Sequence, residues 1–361
     1  MRFHVVSLPH TNTTKDFVNC AYTEKVRRFC NMMKDLGHTV YLYAGEENEA
    51  RVDELIPCIK ETQRKLVVGN RPYVEAPFDM NLPHWKKFNG NVIKAMRKRL
   101  EQKDFICLIA GYTHKPIADA FPNHISVEFG VGYSGIFSKY RVFESYAWMH
   151  SIYSQLRNAA DANGAYYDDV IPGYFEKEMF PFQPNKEDYY LYVGRLIDRK
   201  GWRIAQEVCQ RLGKRLIVAG PGEFSGYGEY VGVVGPEQRA ELMGKAQALF
   251  APTHYVEPFG NVVIEAQACG TPTITTDWGA FTETNLNYIT GFRCRSFQEF
   301  CDATEWVKEL DYAFISQHAY ETYDVSVISL RYEKYFKRLL TLWDKGWYEM
   351  ENNADTVRDG G

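Results

Sequence analysis

Two glutamates, Glu257 and Glu265, are the residues whose type and spacing point most directly to chemistry. Glu257 lies in the loop before a predicted helix, and Glu265 lies about a turn and a half inside it. Carboxylates placed in this way can reach opposite ends of one bound ligand. Between them, Phe259, Gly260 and Asn261 lead into the free amides at the helix start, which can bind an anion. Because carboxylates also accept hydrogen bonds from vicinal sugar hydroxyls, the stretch predicts a site for a nucleoside diphosphate sugar.

A group of cations follows an earlier predicted strand in the same half of the chain. Gly194 forms a turn there, Arg195 follows it directly, and Lys200 lies further along the same loop. A diphosphate requires positive charge without bulk, which Arg195 can supply as a bidentate fork and Lys200 as a point charge. The next predicted strand runs into a turn with Gly220 and Gly222, where a ligand could approach the backbone closely. These turns predict a diphosphate-binding site.

Each of these signals also has a purely structural interpretation. The cationic segment can be a solvated basic turn, and Glu257 can be an acidic residue placed favourably near a helix N-terminus. A glycine pattern at 130–135 matches a dinucleotide-binding fingerprint, but it does not follow the first strand and no acidic residue ends a clear second strand about 20 positions later. A glycine-rich turn close to some ligand is therefore favoured over dehydrogenase chemistry. The sequence contains no Walker A, His-Glu-x-x-His or Gly-x-Ser-x-Gly motif, so P-loop, zinc-protease and typical α/β-hydrolase functions lose their best support.

Short apolar runs alternate with segments of helical period in both halves of the chain, which is typical of parallel α/β proteins. In the first half, strands are predicted at Phe3–Leu8, Thr39–Tyr43, Phe105–Ile109, His124–Phe129 and Tyr166–Ile171, and helices at Phe17–Leu36 and around Tyr140–Met149. In the second half, strands are predicted at Tyr189–Val193, Arg215–Ala219, Ala248–Ala251 and Thr273–Thr275, and helices at Trp202–Leu212, Pro236–Lys245, Gly260–Cys269, Gln298–Leu310 and Val325–Trp343. The predicted fold class is α/β, with two Rossmann-like parallel-sheet domains facing a cleft. A ligand is then expected at the carboxyl ends of the strands.

The length of 361 residues also favours two domains over one oversized core. A proline-rich stretch at 180–184 is typical of an interdomain linker. We predict an N-terminal domain over 1–175, a C-terminal domain over 176–325, and a helix and tail over 326–361 that pack back on the first domain.

The composition, with 45% hydrophobic and 24% charged residues, is that of an ordered globular protein. A net charge of -4 gives no global reason to expect a nucleic-acid partner. The eight cysteines form no CxxC pair and have no histidine at zinc-ligand spacing, so we expect reduced thiols and no metal site. The first residues do not resemble a signal peptide and no run of about 18 apolar residues occurs, so we expect a cytoplasmic protein.

The second half resembles retaining glycosyltransferases of the GT-B fold, particularly family four, over Tyr189–Phe292. The resemblance is carried by Val193-Gly194-Arg195-Leu196, Lys200-Gly201, Ala219-Gly220-Pro221-Gly222, the Glu-Pro-Phe-Gly-x4-Glu-Ala stretch with Glu257 and Glu265, Gly270-Thr271-Pro272, Asp277-x-Gly279 and Glu283. It implies that the C-terminal domain binds the nucleotide-sugar donor and that the N-terminal domain takes the acceptor. It also implies that Arg195 and Lys200 bind the donor diphosphate, Glu265 the ribose and Glu257 the donor sugar.

The first half fits the family pattern less well. Relatives usually have a Gly-Gly turn soon after the first strand, whereas this chain has the loop His10–Phe17. Many relatives place a histidine near the reacting sugar at the strand His124–Phe129, where this chain has Glu128. Glu128 is therefore a candidate for a substituted active-site role, and a glutamate that accepts hydrogen bonds from a loop backbone is the alternative. His10, His114 and His150 are further candidates that are individually more often structural.

The function implied by the resemblance is transfer of a sugar from a nucleoside diphosphate sugar to a hydroxyl acceptor, with retention and without a metal or other cofactor. A GT-B-fold nucleotide-sugar epimerase and a non-catalytic nucleotide-sugar binding protein are the alternatives. The acceptor is a glycan, a lipid-linked molecule or another hydroxyl compound. The basic segment 94–99 could touch an anionic membrane carrying a lipid acceptor, although a solvated helix face is the favoured interpretation.

Overall fold

The computed structural model describes residues 1–69, 72–156 and 164–344. The chain divides into two compact units. The first contains Met1–Phe143, a segment that ends at Ile171 and the chain from Ser329 onward. The second contains a segment that begins at Glu144 and the continuous stretch Pro172–Ile328. Each unit is built around one parallel β-sheet, so the predicted α/β fold class with two parallel sheets is confirmed.

The sheet of the first unit has the strand order β3-β2-β1-β4-β5-β6-β7. Its strands are β1 Arg2–Val6, β2 Thr39–Ala44, β3 Glu54–Pro57, β4 Phe105–Leu108, β5 Ile125–Val131, β6 Tyr140–Phe143 and β7 Asp169–Val170. Its helices are α1 Ala21–Asp35, α2 Glu61–Val68, α3 Pro83–Met96 and α4 Lys115–Asp119. Gly37, with a φ of 77°, allows the chain to turn after α1 into β2.

The segment predicted as a helix around Tyr140–Met149 is instead a strand followed by a helix. Tyr140–Phe143 forms β6, which pairs in parallel with β5 and β7. Helix α5 spans Tyr146–Leu156 in the second unit. It begins after Ser145, whose Oγ accepts a hydrogen bond from the Trp148 amide at 3.0 Å, as an N-cap does. The aromatic and β-branched residues before this cap are buried in the sheet, which explains why helical spacing alone was misleading.

The sheet of the second unit has the strand order β10-β9-β8-β11-β12-β13. Its strands are β8 Tyr190–Val193, β9 Leu216–Ala219, β10 Glu229–Tyr230, β11 Leu249–Ala251, β12 Thr273–Thr276 and β13 Gly291–Cys294. Its further helices are α6 Trp202–Leu212, α7 Pro236–Lys245, α8 Asn261–Ala268, α9 Phe281–Thr284, α10 Phe297–Trp306 and α11 Tyr312–Tyr323. All strand pairs in this sheet are parallel, so the loops after β8, β9, β11 and β12 leave the sheet at one edge.

The last described helix, α12, spans Val325–Asp344, and its residues from Ser329 onward belong to the first unit. There it covers the sheet with aromatic side chains. The Phe336 ring lies 4.8 Å from that of Phe3 and 4.9 Å from that of Phe105. The Tyr332 hydroxyl donates a hydrogen bond of 2.7 Å to the carbonyl of Phe129 on β5. The C-terminal helix therefore completes the hydrophobic core of the first unit.

Candidate active site

The predicted donor-site residues of the second half follow the strands of the second sheet at their carboxyl ends. From β8, the chain continues to β9 on one side of the sheet and later returns to β11 on the other side. This point between β8 and β11 is a topological switch, where open parallel sheets bind their ligands. Gly194, Arg195 and Lys200 lie in the loop after β8, and Glu257 lies in the loop after β11. The fold thus brings the two groups of predicted residues to one place.

Lys200 and Glu257 form an ion pair that joins these two loops. Lys200 Nζ lies 2.7 Å from Glu257 Oε2, and both side chains are largely buried. The Tyr255 hydroxyl donates a second hydrogen bond of 2.7 Å to the same oxygen. Burial, followed by the charge of Glu257, raises the pKa of the Tyr255 phenol well above its usual range, so this group remains a donor. The pair is a preorganised cation and carboxylate within reach of a ligand at the sheet edge.

Glycine at position 201 is required for the two loops to approach. Gly201 has a φ of 70°, and a Cβ there would lie 1.8 Å from the carbonyl oxygen of Pro252. A side chain at this position would therefore push apart the backbones that carry Lys200 and Glu257. The Arg199 carbonyl also accepts a hydrogen bond of 2.8 Å from the His254 amide.

Arg195 is exposed beside this pair. Burial raises the pKa of the Tyr192 and Tyr255 phenols, and the charge of Arg195 acts in the opposite direction. The turn that contains Arg195 is fixed by main-chain hydrogen bonds, with Gly194 N donating to Ala219 O at 3.0 Å. The side chain is thus a cation on a rigid turn that is open to solvent and available to an anionic ligand.

Gly220 and Gly222 lie in the neighbouring turn and allow it to pack against the turn that contains Gly194. Leu196 N donates to Pro221 O at 2.8 Å and so ties the two turns together. A Cβ on Gly220 would lie 2.0 Å from Gly194 O, and one on Gly222 would lie 2.8 Å from Leu196 Cβ. These glycines are needed for contact between the turns, whatever ligand approaches them.

Helix α8 places three more predicted residues. Gly260 is its N-cap, with a φ of 82°, and provides no side-chain cap for the first amides. Phe259 is buried, and its ring lies 6.0 Å from that of Tyr323. Asn261 Oδ1 is buried without a hydrogen-bond partner among the described residues. The helix start therefore retains polar groups that the described residues do not satisfy.

Glu265 lies on the second turn of α8 and is only 5% exposed. Its carboxylate faces Arg239 of α7, with Nε and Oε2 3.2 Å apart. Arg239 Nη2 donates to Glu265 Oε1, also at 3.2 Å. The negative charge at this end of the site is thus balanced by a cation from the same unit.

Glu128 lies on β5 in the first unit and is completely buried. Its Oε2 accepts hydrogen bonds from the amides of Phe137 and Ser138 at 3.0 and 2.9 Å, and its Oε1 accepts one from the Tyr133 hydroxyl at 3.1 Å. Burial raises the pKa of the carboxyl to about 7, although these three donors act in the opposite direction. This geometry agrees with the alternative interpretation, in which Glu128 fixes a loop.

The three candidate histidines have different environments. Burial lowers the pKa of His10 to about 4 and that of His114 to about 3, so both are neutral imidazoles near pH 7. His10 follows β1 and His114 follows β4, which flank the topological switch of the first sheet. His150 is exposed on α5, in the second unit.

The basic segment 94–99 includes the end of α3, where Lys94, Arg97 and Lys98 are exposed. Arg99 instead donates to Glu54 Oε2 at 2.9 Å and to the Ala95 carbonyl at 3.0 Å. Among the described residues, no helix is both long and apolar enough to span a bilayer.

Sequence patterns gave no specific signal for Tyr255 and Arg239. The role of Glu283, which belonged only to the matched pattern, was also not predicted: its carboxylate accepts hydrogen bonds from the Tyr146 and Ala147 amides at 3.0 and 2.8 Å. It therefore stabilises the N-terminus of α5. Tyr255 and Arg239 could be found only from the structure, through the hydrogen bond of the Tyr255 hydroxyl to Glu257 and the packing of α7 on α8.

Residues 175–324 match the model of the family glycosyl transferases group 1. Glycogen synthase of Mycobacterium tuberculosis (strain CDC 1551 / Oshkosh) is 34% identical over 122 residues, which cover 29% of this chain and 29% of that protein. A probable sucrose-phosphate synthase of Thermosipho melanesiensis is 29% identical over 116 residues, which cover 28% of this chain and 27% of that protein. The chain thus spans less than a third of the length of these curated relatives.

Solved structures resemble the chain over a much greater length. The glycosyltransferase AviGT4, involved in avilamycin A biosynthesis, matches with a TM-score of 0.66 and 19% identity over 94% of this chain and 98% of that chain. Anabaena Alr3699/HepE in complex with UDP and glucose matches with a TM-score of 0.65 and 14% identity over 94% of this chain and 100% of that chain.

The fold is therefore that of the GT-B glycosyltransferases, as the sequence resemblance predicted. More specifically, residues 175–324 are similar to the glycosyl transferases group 1 domain, whose family model they match. The ten donor-site candidates of the second half, including Lys200, Glu257 and Glu265, all lie within these residues.

Proposed function

We propose that the protein is a glycosyltransferase that moves a sugar from a nucleoside diphosphate sugar to an acceptor hydroxyl, with retention of anomeric configuration and without a metal. The observation that carries the proposal is the contact of 2.7 Å between Lys200 and Glu257, which joins the loops after β8 and β11. Group 1 domain membership and the UDP and UDP-glucose complexes of Alr3699/HepE support a nucleotide-sugar donor.

In the proposed reaction, the bond between the anomeric carbon and the diphosphate oxygen breaks, and a bond to the acceptor oxygen forms. The acceptor hydroxyl loses its proton to the leaving diphosphate, and a nucleoside diphosphate is released. Lys200 and Arg195 stabilise the negative charge that grows on the diphosphate, which is the kind of interaction that contributes most to such catalysis. Glu257 contacts the donor sugar, and Glu265 accepts hydrogen bonds from the ribose hydroxyls.

The backbone of the turns at Gly194, Gly220 and Gly222 and the start of α8 at Phe259, Gly260 and Asn261 complete the proposed donor site. The buried Asn261 Oδ1, which has no hydrogen-bond partner in the described part of the chain, supports a polar ligand at the helix start. For Glu128 we propose the loop-fixing role, because all three of its hydrogen bonds come from residues 133–138.

The first test is a product assay with purified full-length protein and a panel of UDP-, GDP- and ADP-sugars, with and without simple glycoside acceptors. Transfer supports the proposal. Conversion of the sugar with the donor alone would identify an epimerase, and binding without turnover would identify a binding protein. NMR of the new linkage determines retention, and activity in excess EDTA tests metal independence.

Lys200→Met tests the central assignment. We expect turnover to fall by about 10²- to 10³-fold, because one preorganised charge at the leaving group is lost. Lys308→Gln is the matched control, because Lys308 is exposed in the same unit and pairs with Glu305 at the surface. Full turnover in Lys200→Met would contradict the assignment, provided that both variants melt at the temperature of the wild type.

A further inference from the structure

We infer that Arg239 is a positioning residue that sets the preference of the donor site for a ribonucleotide over a 2′-deoxyribonucleotide. This inference rests on the proposed function, in which Glu265 accepts hydrogen bonds from the ribose. Neither the family pattern nor the proposed donor contacts assign a role to Arg239.

The first observation is the way in which the guanidinium meets the carboxylate. Arg239 Nη2 donates to Glu265 Oε1 at 3.2 Å, whereas Nε and Oε2 lie 3.2 Å apart as an ion pair. The latter two atoms are buried and neither has a hydrogen-bond partner among the described residues. Glu265 Oε2 therefore keeps acceptor capacity at a buried position.

A buried carboxylate oxygen without a donor is costly unless a ligand or water supplies one. A ribose presents two vicinal hydroxyls, which are donors of the number and spacing that one carboxylate can accept. A 2′-deoxyribose lacks one of them and would leave an acceptor unpaired. Discrimination by such a site is large, because the penalty falls on a group that is already desolvated.

Arg239 determines which side of the carboxylate is available. Its side chain is 17% exposed, and its guanidinium lies 5.7 Å from the centre of the Phe180 ring, so its position is fixed by packing as well as by charge. With Arg239 on one side, Glu265 must present its remaining lone pairs to the other. Without it, the carboxylate could rotate and its buried charge would be uncompensated.

The location of α7 links this pair to the rest of the proposed donor site. The segment before α7 passes the turn after β9, where Gly220 N donates to Gly232 O at 2.8 Å. Arg239 is therefore held on a helix that is tied to the glycine turn at the carboxyl edge of the sheet, while Glu265 is held on α8. The ion pair fixes the distance between two elements that line the proposed nucleotide site.

The test measures dissociation constants by calorimetry for UDP, GDP and ADP and for their 2′-deoxy counterparts, with full-length protein. In the wild type we expect at least one ribonucleotide to bind about tenfold or more tightly than its deoxy form. In Arg239→Gln we expect the affinity for the ribonucleotide to fall by about tenfold and that for the deoxynucleotide by less than threefold, so that the preference for ribose disappears. Arg239→Lys keeps the charge and should restore part of the preference.

Arg211→Gln is the control, since Arg211 is exposed on α6 in the same unit. Equal losses for both nucleotides in Arg239→Gln would show that Arg239 only maintains the structure and would overturn the inference alone. Absence of any nucleotide binding by the wild type would overturn the proposed donor site and this role with it. If Arg239→Gln does not fold, Arg239→Lys carries the test, because a single ammonium cannot match the fork and must lower the ribose preference.

Discussion

Glu257 accepts two hydrogen bonds at one oxygen, from Lys200 and from Tyr255. The two donors have different expected roles. Lys200 is charged and can also reach a diphosphate, whereas the Tyr255 phenol is neutral and orients Glu257. At the scale of single residues, we therefore expect Lys200 to bind the donor and Tyr255 to position Glu257.

Tyr255→Phe should therefore lower kcat/KM for the donor sugar without lowering the affinity for UDP. We expect a loss of about 10- to 100-fold, which corresponds to one hydrogen bond to a charged group. Steady-state kinetics and UDP calorimetry measure the two effects separately. Tyr288→Phe is the control, because Tyr288 is highly exposed in the same unit. A parallel loss of UDP affinity would mean that Tyr255 contacts the nucleotide or maintains the loop.

Glu128 gives a pH-dependent prediction for stability. Burial raises the pKa of its carboxyl from an ordinary value of 4.5 to about 7, so the native state binds this proton more tightly than the unfolded chain does. The resulting stabilisation is complete below pH 4.5 and is lost as the pH rises through 7. It amounts to roughly 3 kcal/mol at most.

Glu128→Gln should remove this dependence, since its amide can accept from Phe137 and Ser138 and donate to Tyr133 without titrating. Thermal unfolding of both proteins between pH 5 and pH 8 measures the effect. We expect the wild type to lose stability relative to the variant as the pH rises. Parallel curves would show that Glu128 does not titrate in this range. Retention of transferase activity in Glu128→Gln would further support the loop-fixing role over an active-site role.

At the scale of elements, the glycine turns determine how closely the loops of the proposed donor site approach. Gly220→Ala should destabilise the protein, because Gly220 has a φ of 133° and a Cβ would lie 2.0 Å from Gly194 O. We expect a cost of about 2 to 4 kcal/mol from backbone strain and the clash together. Chemical denaturation monitored by circular dichroism measures it.

Gly235→Ala is the matched control, since Gly235 has an ordinary φ and open space around its Cα. If Gly220→Ala were as stable as this control, the contact between the turns would be less rigid than the distances indicate. An intact fold with weakened UDP binding would instead show that Gly220 acts mainly on ligand binding.

The elements that the sequence predicted best are those with local end signals. Helices α6 and α7 have the predicted bounds, because α6 lies between Gly201 and Gly213, both with positive φ, and Pro236 is the first residue of α7. The sequence did not predict β3, β10 or β13, which all lie at sheet edges. An edge strand pairs on one side only and carries a weaker apolar pattern; both residues of β10 are exposed.

The same reasoning explains what could be predicted of the candidate site. The sequence indicated Lys200 and Glu257 individually, because glycines and cations after a strand have a recognisable pattern. It did not predict that they form an ion pair, since they are 57 positions apart and meet only through the strand order. The partner of Glu265 was likewise unpredictable, because Arg239 reaches it through the packing of α7 on α8.

At the scale of the whole molecule, each unit has its own parallel sheet and its own topological switch, yet the cations and carboxylates of the proposed donor site all belong to the second unit. At the switch of the first unit, the loops after β1 and β4 carry the neutral histidines His10 and His114. This asymmetry agrees with the proposed division between a unit that binds a charged donor and a unit that takes an uncharged hydroxyl.

Nucleotide binding should therefore stabilise the full chain and protect particular segments of the second unit. A nucleoside diphosphate at about 100 times its dissociation constant stabilises the native state by about 2.7 kcal/mol, which thermal shift can detect. In hydrogen exchange with UDP, we expect slower exchange in the peptides that cover 194–200, 220–235 and 257–265. Lys200→Met should reduce both effects at the same UDP concentration, and Lys308→Gln should leave them unchanged. Protection confined to other peptides would place the nucleotide away from the switch between β8 and β11 and would contradict the proposed site.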